Sequence, residues 1–493
     1  MVEVTRKNFE ELLPEIVGKI KNSTFVTFDA EYTGIYSEEL SLANSLFDTA
    51  AQRYLKLRRN VSTFTISQFG LAIFRKERDA NVYNVETYTF YLFPVAFDSF
   101  SKRDILTCQI SCLNFLARHD FDFNKFIKEG IPYLNNEKAD SLRNFLKANR
   151  HFMNTAEFLD KDYFPEKINL LDNEDIDNII DRLAGFSKII EAIREARKPV
   201  IGHNILNDIL FTIHLFWSDL PESYEEFKRI VHDLFPVVYD TKFLAREVHQ
   251  LRRDINVDDF LLSDSNLFSL FTNSYRIFEL NMPLVELQGK TRQYGEALLA
   301  GRNKNLEQVP DNPCHNAGFD ALITGCVFLN ISYMACRPQS LPDHRKGLPP
   351  TFTELLGRTE CWSNRVNIAR AIIPNINLNG SDPQSHRPNW IEVEAINGKF
   401  IDPVLLRLEL VKYGDVEINA VNTTTVEIAC SSMGCFKKVW GNLKEKQYRL
   451  TQKNPESESM LSSNWKSWST IFGCGIATGG LICLYFKLCN RMK

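Results

Sequence analysis

Four carboxylates and one histidine, spread from residue 29 to residue 320, constrain this chain more than any other feature. Asp29 and Glu31 lie in FVTFDAEYTG, Asp208 in VIGHNILNDILFTIH, and His315 with Asp320 in CHNAGFDALITG. Each acid stands where an apolar run ends or a helical pattern begins, which places it at the rim of a sheet. On a strand, the i, i+2 spacing of Asp29 and Glu31 puts both on one face. Four carboxylates buried together would repel one another by several kcal/mol unless cations neutralised them. Hard divalent cations with oxygen ligands do that, so the set reads as a two-metal phosphodiester-cleaving site. Such a site requires a fold that brings distant segments to one sheet edge.

The hydrophobic patterning supplies such a fold. Residues 24–34 read as a buried strand, and FTISQFGLAIF (64–74) and VYNVETYTFYLFP (82–94) as two more. Residues 100–132 read as helical with a Gly-Ile-Pro break, and 135–180 as a polar, acidic stretch in which NLLDNEDIDNIIDRL opens a helix. Helix 183–197, strand PVIGHN, helix 207–217 and strand 237–243 then alternate as α/β units. Residues 315–335 form one long helix with Ala321, Ile323, Val327 and Phe328 on faces that suit burial, followed by a loop at 337–352. From 390 to 451 the order is strand, helix, strand, strand, helix, strand, which suits a small RRM-like α+β domain.

At 493 residues, 44% of them hydrophobic and 24% charged, the chain has room for two or three domains. A net charge of −4 excludes nothing, because bound cations would cancel four acids and phosphate affinity follows local patches. The eleven cysteines form no CxxC pair, and Cys108 with Cys112 lacks a matching second pair, so no zinc site is expected. They read as reduced thiols of a cytosol-facing protein. The N-terminal MVEVTRKNFEELLPEIVGKI is amphipathic rather than continuously apolar, so no leader is expected. Near the other end, SWSTIFGCGIATGGLICLYF runs uncharged between Lys466 and Lys487, about 30 Å as a helix. Trp465, Trp468 and Tyr485 suit its two interfaces. The expectation is a tail anchor: a polar tether (452–467), a transmembrane helix (468–486) and a basic tail (487–493). A moderately apolar, Gly-containing span with a basic end favours the mitochondrial outer membrane, with the ER as the alternative.

The segments FDAEYTG, IGHNILND and HNAGFD resemble the three exonuclease motifs of the DEDD superfamily, in the subclass whose histidine lies five residues before the last aspartate. Together with RYLKLRRNVSTFTISQFGLAIF, FLARHDFDFNKFIKEGIPYLN, GFSKIIEAI and FPVVYDTKFLA, they are similar to the poly(A)-specific ribonuclease family over most of residues 1–335. The apolar C-terminal run brings the chain nearest to the membrane-anchored branch that includes the piRNA 3′-end trimmer. The resemblance implies an RNase H-like DEDD exonuclease domain over 1–335, a mixed sheet flanked by helices. A connecting segment (336–389) would follow, then the RRM-like domain (390–451). The family's inserted nucleic-acid-binding module does not fit into 135–180, so a short connector is expected there. Ala420 stands where the family carries its cap-recognising tryptophan, and Thr424, Val426, Ile428 and Cys430 offer no stacking ring. A structural or protein-contacting role is therefore expected of that domain.

By the same resemblance, Asp29, Glu31 and Asp320 would hold a Mg²⁺ ion that activates water. Asp29 would bridge to a second ion, helped by Asp208, with Mn²⁺ as an alternative metal. His315 would be the general base, since an imidazole near its ordinary pKa accepts a proton at neutral pH. His203 also precedes an aspartate by five residues, yet it closes a strand, and it is assigned with His214 to structure. Tyr32 and Ile35 would wedge the terminal base, Leu113 and Phe115 would line a base pocket, and Lys242 would reach a phosphate. The basic stretch Arg53 to Arg59 reads as a solvated helix face. The implied activity is 3′-to-5′ trimming of single-stranded RNA to 5′-monophosphates. Its substrates would be piRNA precursors held by a PIWI protein and presented by a Tudor-domain scaffold, with a homodimer as in soluble relatives. The rival readings are a poly(A) deadenylase and a catalytically dead, membrane-tethered RNA-binding adaptor; the intact five-residue set argues against the second.

Overall fold

Runs such as FVTFDAEY and ISQFGLAIFRK, rich in aromatic and β-branched residues, form the centre of a mixed sheet. The computed structural model describes residues 1–36, 43–78, 80–94, 105–149, 173–253, 262, 264–276, 282–287, 315–336, 348–385, 387–446 and 448–454. The expected anchor 468–486, its basic tail and all of the tether beyond 454 lie outside them. The chain divides into two units, one made of Met1–Asn44 and Ala50–Gln384, the other of Ser45–Thr49 and the residues from Ser385 onward.

In the first unit the strands are β1 (Val2–Val4), β2 (Phe25–Tyr32), β3 (Ile66–Lys76), β4 (Val82–Tyr91), β5 (Val200–Gly202), β6 (Val238–Asp240) and β7 (Leu284–Leu287). Their order is β1-β4-β3-β2-β5-β6, and β7 also pairs with β4. β2, β3 and β4 are joined antiparallel, whereas β5 and β6 continue the sheet in parallel with β2. This is the RNase H-like arrangement expected of residues 1–335.

Alternation along β2 sorts its side chains between two layers. Phe25 stacks on Phe74 at 4.6 Å and meets Phe328 of the helix Ala317–Cys336 edge-on at 5.5 Å. Phe28 points the other way, to Phe69 at 5.2 Å and Phe235 at 5.9 Å. Odd-numbered residues therefore face the long helix, and Asp29 and Glu31 belong to that set. The helix has a mean hydropathy of 1.5 and could cross a membrane by length and composition, yet 94% of its most apolar window is buried inside the protein. It is a core helix.

Several elements differ from the sequence expectation. Within 135–180 the helix expected from NLLDNEDIDNIIDRL forms as Asn173–Ala184, and it pairs with a helix that was not expected, Asn136–Asn149. The pair encloses its own small core of Leu142, Leu146, Ile176, Ile180 and Leu183. The strand expected over 237–243 ends at Asp240, because the Asp240 carboxylate accepts the N–H groups of Lys242 (2.9 Å) and Phe243 (3.4 Å) and so starts the helix Thr241–Arg253. The helical reading of 100–132 becomes two short helices, Ile110–Arg118 and Phe123–Glu129. The segment 336–389 is no mere connector. Its helix Phe352–Thr359, opened by a Thr351–Glu354 capping box, and its hairpin β8 (Arg365–Asn367) with β9 (Asn375–Asn377) belong to the first unit. The basic stretch on helix Ala50–Val61 is not a solvated face either. Arg53 is 2% exposed and donates to the carbonyls of Ala369 and Arg370, and Arg58 donates to Leu220 O at 2.8 Å.

The second unit is a four-stranded antiparallel sheet ordered β11 (Val416–Ala420), β12 (Thr425–Cys430), β10 (Trp390–Ala395), β13 (Tyr448–Lys453). Helices Pro403–Leu410 and Met433–Glu445, capped by Asp402 and Ser432, complete the βαββαβ order. The core holds Ile391, Val393, Val426, Ile428, Leu410 and Val439. Val426, Ile428 and Cys430 thus face inward, so the absence of aromatics at those positions says nothing about RNA. The outward face of the two central strands carries Glu392, Glu394 and Glu427 instead, with Lys453 bridging Glu392 (2.5 Å) and Glu427 (2.7 Å). Trp390 is occupied by Phe47, edge-on at 5.0 Å. Arg449 pairs with Glu394 at 3.0 Å, so three glutamates, one lysine and one arginine leave this face close to charge balance.

Candidate active site

Two glycine and glutamine choices on β3 let the site assemble. Gly70 pairs with Asp29 across the sheet, and Gln68 pairs with Glu31. A Cβ on Gly70 would fall 1.9 Å from the Ala317 carbonyl, so only glycine lets the long helix begin directly over the strand. Gln68 Oε1 accepts the Ala317 N–H at 2.9 Å. Asn316 Oδ1 caps the N–H groups of Gly318 (3.1 Å) and Phe319 (3.4 Å), and Thr27 Oγ1 donates to Ala321 O at 2.5 Å. These bonds dock the N-terminal turn of the helix on β2 and β3, which delivers Asp320 beside Asp29 and Glu31. The ligand atoms of Glu31, His315 and Asp320 all lie within 4.8 Å of one another.

Asp208 arrives from the first turn of the helix Leu206–Phe216, where the positive end of the helix dipole favours an acid. Its Oδ1 accepts the Tyr32 hydroxyl at 2.6 Å. The four carboxylates sense one another. Asp29 is held well above the usual carboxylate range, first by burial and then by the charges of Asp208, Asp320 and Glu31. Glu31 is raised in the same way by burial, Asp320 and Asp208. Burial pushes Asp208 and Asp320 up to about 7, against the opposing pull of the Tyr32 hydroxyl on one and the His315 backbone on the other. Oxygen donors that mutually suppress ionisation are the setting a hard cation relieves, so these residues fit divalent metal ions.

His315 sits in a left-handed turn (φ 68°) just before the helix, and its side chain is exposed. Its pKa is lowered, by burial of the ring first and by His119 second, which keeps the imidazole neutral and able to accept a proton.

The sequence profile of the CAF1 family ribonuclease matches residues 4–328. The chain belongs to that family. It is a 3′-to-5′ exoribonuclease of the CAF1 and poly(A)-specific ribonuclease type. It is 26% identical to the pre-piRNA 3′-exonuclease trimmer of Bombyx mori, over 97% of this chain and 97% of that protein. It is 28% identical to the poly(A)-specific ribonuclease PNLDC1 of Mus musculus, over 78% of this chain and 81% of that one. Among solved structures, the RNase domain of the yeast Pop2 protein superposes with a TM-score of 0.37 at 13% identity, covering 68% of this chain and 86% of that one.

The residues expected to grip substrate are placed unevenly in this ribonuclease. Phe115, 39% exposed, is brought to the site by helix Ile110–Arg118 and packs edge-on against His315 at 4.8 Å. Leu113 lies on the same helix, half-buried, two positions before Phe115. Ile35 is half-buried, its N–H donating to Gln109 Oε1 at 3.2 Å. Tyr32 is not a free wedge. The β2–β3 register shifts between Glu31 and Tyr32, and beyond that irregularity the Tyr32 ring packs on Phe211 at 4.6 Å and its hydroxyl holds Asp208. Lys242 lies on a helix, close enough to His203 that its charge helps depress that ring. His203 is structural as expected: Nδ1 pairs with Thr241 Oγ1 at 2.9 Å, and burial first, then Lys242, pushes its pKa down to about 3. His214 is likewise held neutral by burial, at about 4.

Sequence reasoning missed Gln68, Gly70, Asp240 and His119. Asp240 is 1% exposed and holds the Asn204 and Asn367 N–H groups at 2.9 and 2.8 Å, tying the loop before Asp208 to β8. Only His119 left a signal, its i, i+4 spacing from Phe115.

Proposed function

We propose that this ribonuclease trims single-stranded RNA from its 3′ end with two divalent ions, Mg²⁺ or Mn²⁺, held by Asp29, Glu31, Asp208 and Asp320. Bound there, the ions would activate the attacking water and offset charge on the departing 3′ oxygen. The protein's own residues do the rest. His315 takes the proton of the water whose oxygen bonds to phosphorus as the bond from phosphorus to the 3′ oxygen breaks, releasing a nucleoside 5′-monophosphate. Tyr32 fixes the rotamer of Asp208, and the Asn316 cap and Gln68 hold Asp320 over β2. Phe115 offers an apolar ring beside the base to be removed.

The observation that carries this reading is the meeting of five residues from three distant segments at the edge of β2. The proposed substrates are piRNA precursors held by a PIWI protein, presented by a Tudor-domain scaffold, at the cytosolic face of the mitochondrial outer membrane through residues 468–486. The end-to-end likeness to the Bombyx mori trimmer supports that choice. So does the outward sheet face of the second unit, an RRM-like domain, where three glutamates offset Lys453 and Arg449 and leave no surplus of positive charge for free RNA. A PIWI protein that holds the RNA would supply what the domain lacks.

The test is a comparison of nucleotide release by the full membrane-bound chain from PIWI-bound precursors, free mixed-sequence RNA and A-tailed RNA. Preference for the PIWI-bound precursor is expected, and Asp29→Ala should abolish release from all three. Preference for the A-tailed RNA would replace the reading with deadenylation. Unchanged release by Asp29→Ala would remove the metal assignment.

A further inference from the structure

We infer that His119 is a positioning residue for His315, clamping its imidazole against Phe115 so that the ring faces the carboxylates. The inference rests on the role of His315 proposed above. The His119 and His315 ring centroids are 4.1 Å apart at 53°, and Phe115 closes the group at 4.8 Å from His315 and 4.6 Å from His119. His315 belongs to a left-handed turn that leaves its side chain exposed, so backbone geometry alone does not choose its rotamer. Two rings packed against it do.

His119 is itself held rigidly. It caps the helix Ile110–Arg118, its N–H donating to Leu116 O at 3.1 Å. Asp120 follows in the left-handed region (φ 55°), and the Phe121 N–H returns to the same Leu116 carbonyl at 3.1 Å, a Schellman closure. Phe121 then packs on Tyr91 of β4 at 5.6 Å and on Phe126 at 5.9 Å. The other end of the helix is pinned to the residues that directly follow β2, the strand that carries Asp29 and Glu31. The Gln109 N–H donates to Thr33 O at 2.7 Å, and Gln109 Oε1 receives the Ile35 and Tyr36 N–H groups at 3.2 and 3.4 Å. The clamp is therefore referenced to the sheet at both ends, whereas His315 is referenced to the helix Ala317–Cys336. His119 joins the two.

The test compares His119→Ala and His119→Phe in the full chain, alone and combined with His315→Ala. Freeing the ring to other rotamers should lower kcat about tenfold with KM unchanged, and His119→Phe, which keeps a ring in place, should restore most of it. In the His315→Ala background, His119→Ala should cost nothing more. A raised KM at unchanged kcat, an equal loss in both backgrounds, or a His119→Phe protein as impaired as His119→Ala with the same melting temperature would each overturn the inference. If His315→Ala is itself active, it is the role of His315 that fails.

Discussion

Two stretches of this ribonuclease have the same pattern, His-Asn followed by an aspartate five residues after the histidine: His203 to Asp208 and His315 to Asp320. Both aspartates end in the first turns of helices and both are raised to about 7. The histidines diverge. His203 is enclosed, bonded to Thr241 Oγ1 and pushed down to about 3, and here it is Asn204 that turns left-handed (φ 57°). At the second stretch the left-handed residue is His315 itself, which tips its ring outward between Phe115 and His119. The aspartate depends on where a helix begins, which a local pattern encodes. The histidine depends on what packs around it, which it does not.

The largest effects should fall on what the two stretches share. Asp208→Ala and Asp320→Ala should each reduce nucleotide release by about 10⁴-fold, because each would remove an oxygen donor from the proposed metal site. A substantially active Asp208→Ala enzyme would break the equivalence of the two aspartates.

The histidines should separate next. His315→Ala should lower kcat by about 10²–10³-fold as expected for loss of a general base. His203→Ala should leave kcat of the folded enzyme nearly unchanged and lower unfolding stability by about 1–3 kcal/mol, through loss of the enclosed ring and its bond to Thr241 Oγ1, whose hydroxyl still reaches Gly202 O. Denaturant titration and steady-state kinetics on both variants would sharpen the contrast, and equal catalytic losses would erase it.

The shared elevation of the aspartates predicts a pH-linked response to metal. Carboxylates whose folded pKa exceeds the unfolded value favour folding below about pH 4, and that contribution is lost as pH rises through about 7. Mg²⁺ neutralises the ionised forms, so its stabilisation should grow from pH 6 to pH 8, reaching about 2.7 kcal/mol at a hundredfold excess over Kd. A thermal shift that is independent of pH would contradict this.

The smallest effect should mark what only the first stretch has. Tyr32→Phe removes the 2.6 Å bond to Asp208 and leaves Asp320 untouched. The Asp208 carboxyl should rise further, and half-maximal activity should need roughly fivefold more Mg²⁺, about 1 kcal/mol. An unchanged Mg²⁺ requirement would show that the hydroxyl does not tune the acid.

Much of this was legible beforehand. Apolar runs marked β2, β3 and β4, and the order of elements in the second unit followed from periodicity, since helices and alternating strands leave different patterns. Of the helical pair at 135–180 only the second helix was legible, because the first, Asn136–Asn149, carries few apolar residues and they pack in a small cluster with the second. The bond from Tyr32 to Asp208 was not legible, because adjacency to Glu31 in sequence does not name a partner on a distant helix. The apolar helix Ala317–Cys336 and the uncharged stretch 467–486 look alike in composition, and it is burial against the sheet that makes a core helix of the first.

The sequence by itself determined the donor chemistry: hard oxygen ligands on local frames, a strand for Asp29 and Glu31 and helix starts for Asp208 and Asp320. Side-chain type and short-range periodicity are properties of neighbouring residues, so they can be read locally. Only the tertiary structure decided that Gly70 and Gln68 admit the long helix, that Tyr32 serves Asp208, and that His119 reaches His315. Those pairings join residues far apart in the chain, where close packing rather than spacing selects the partner.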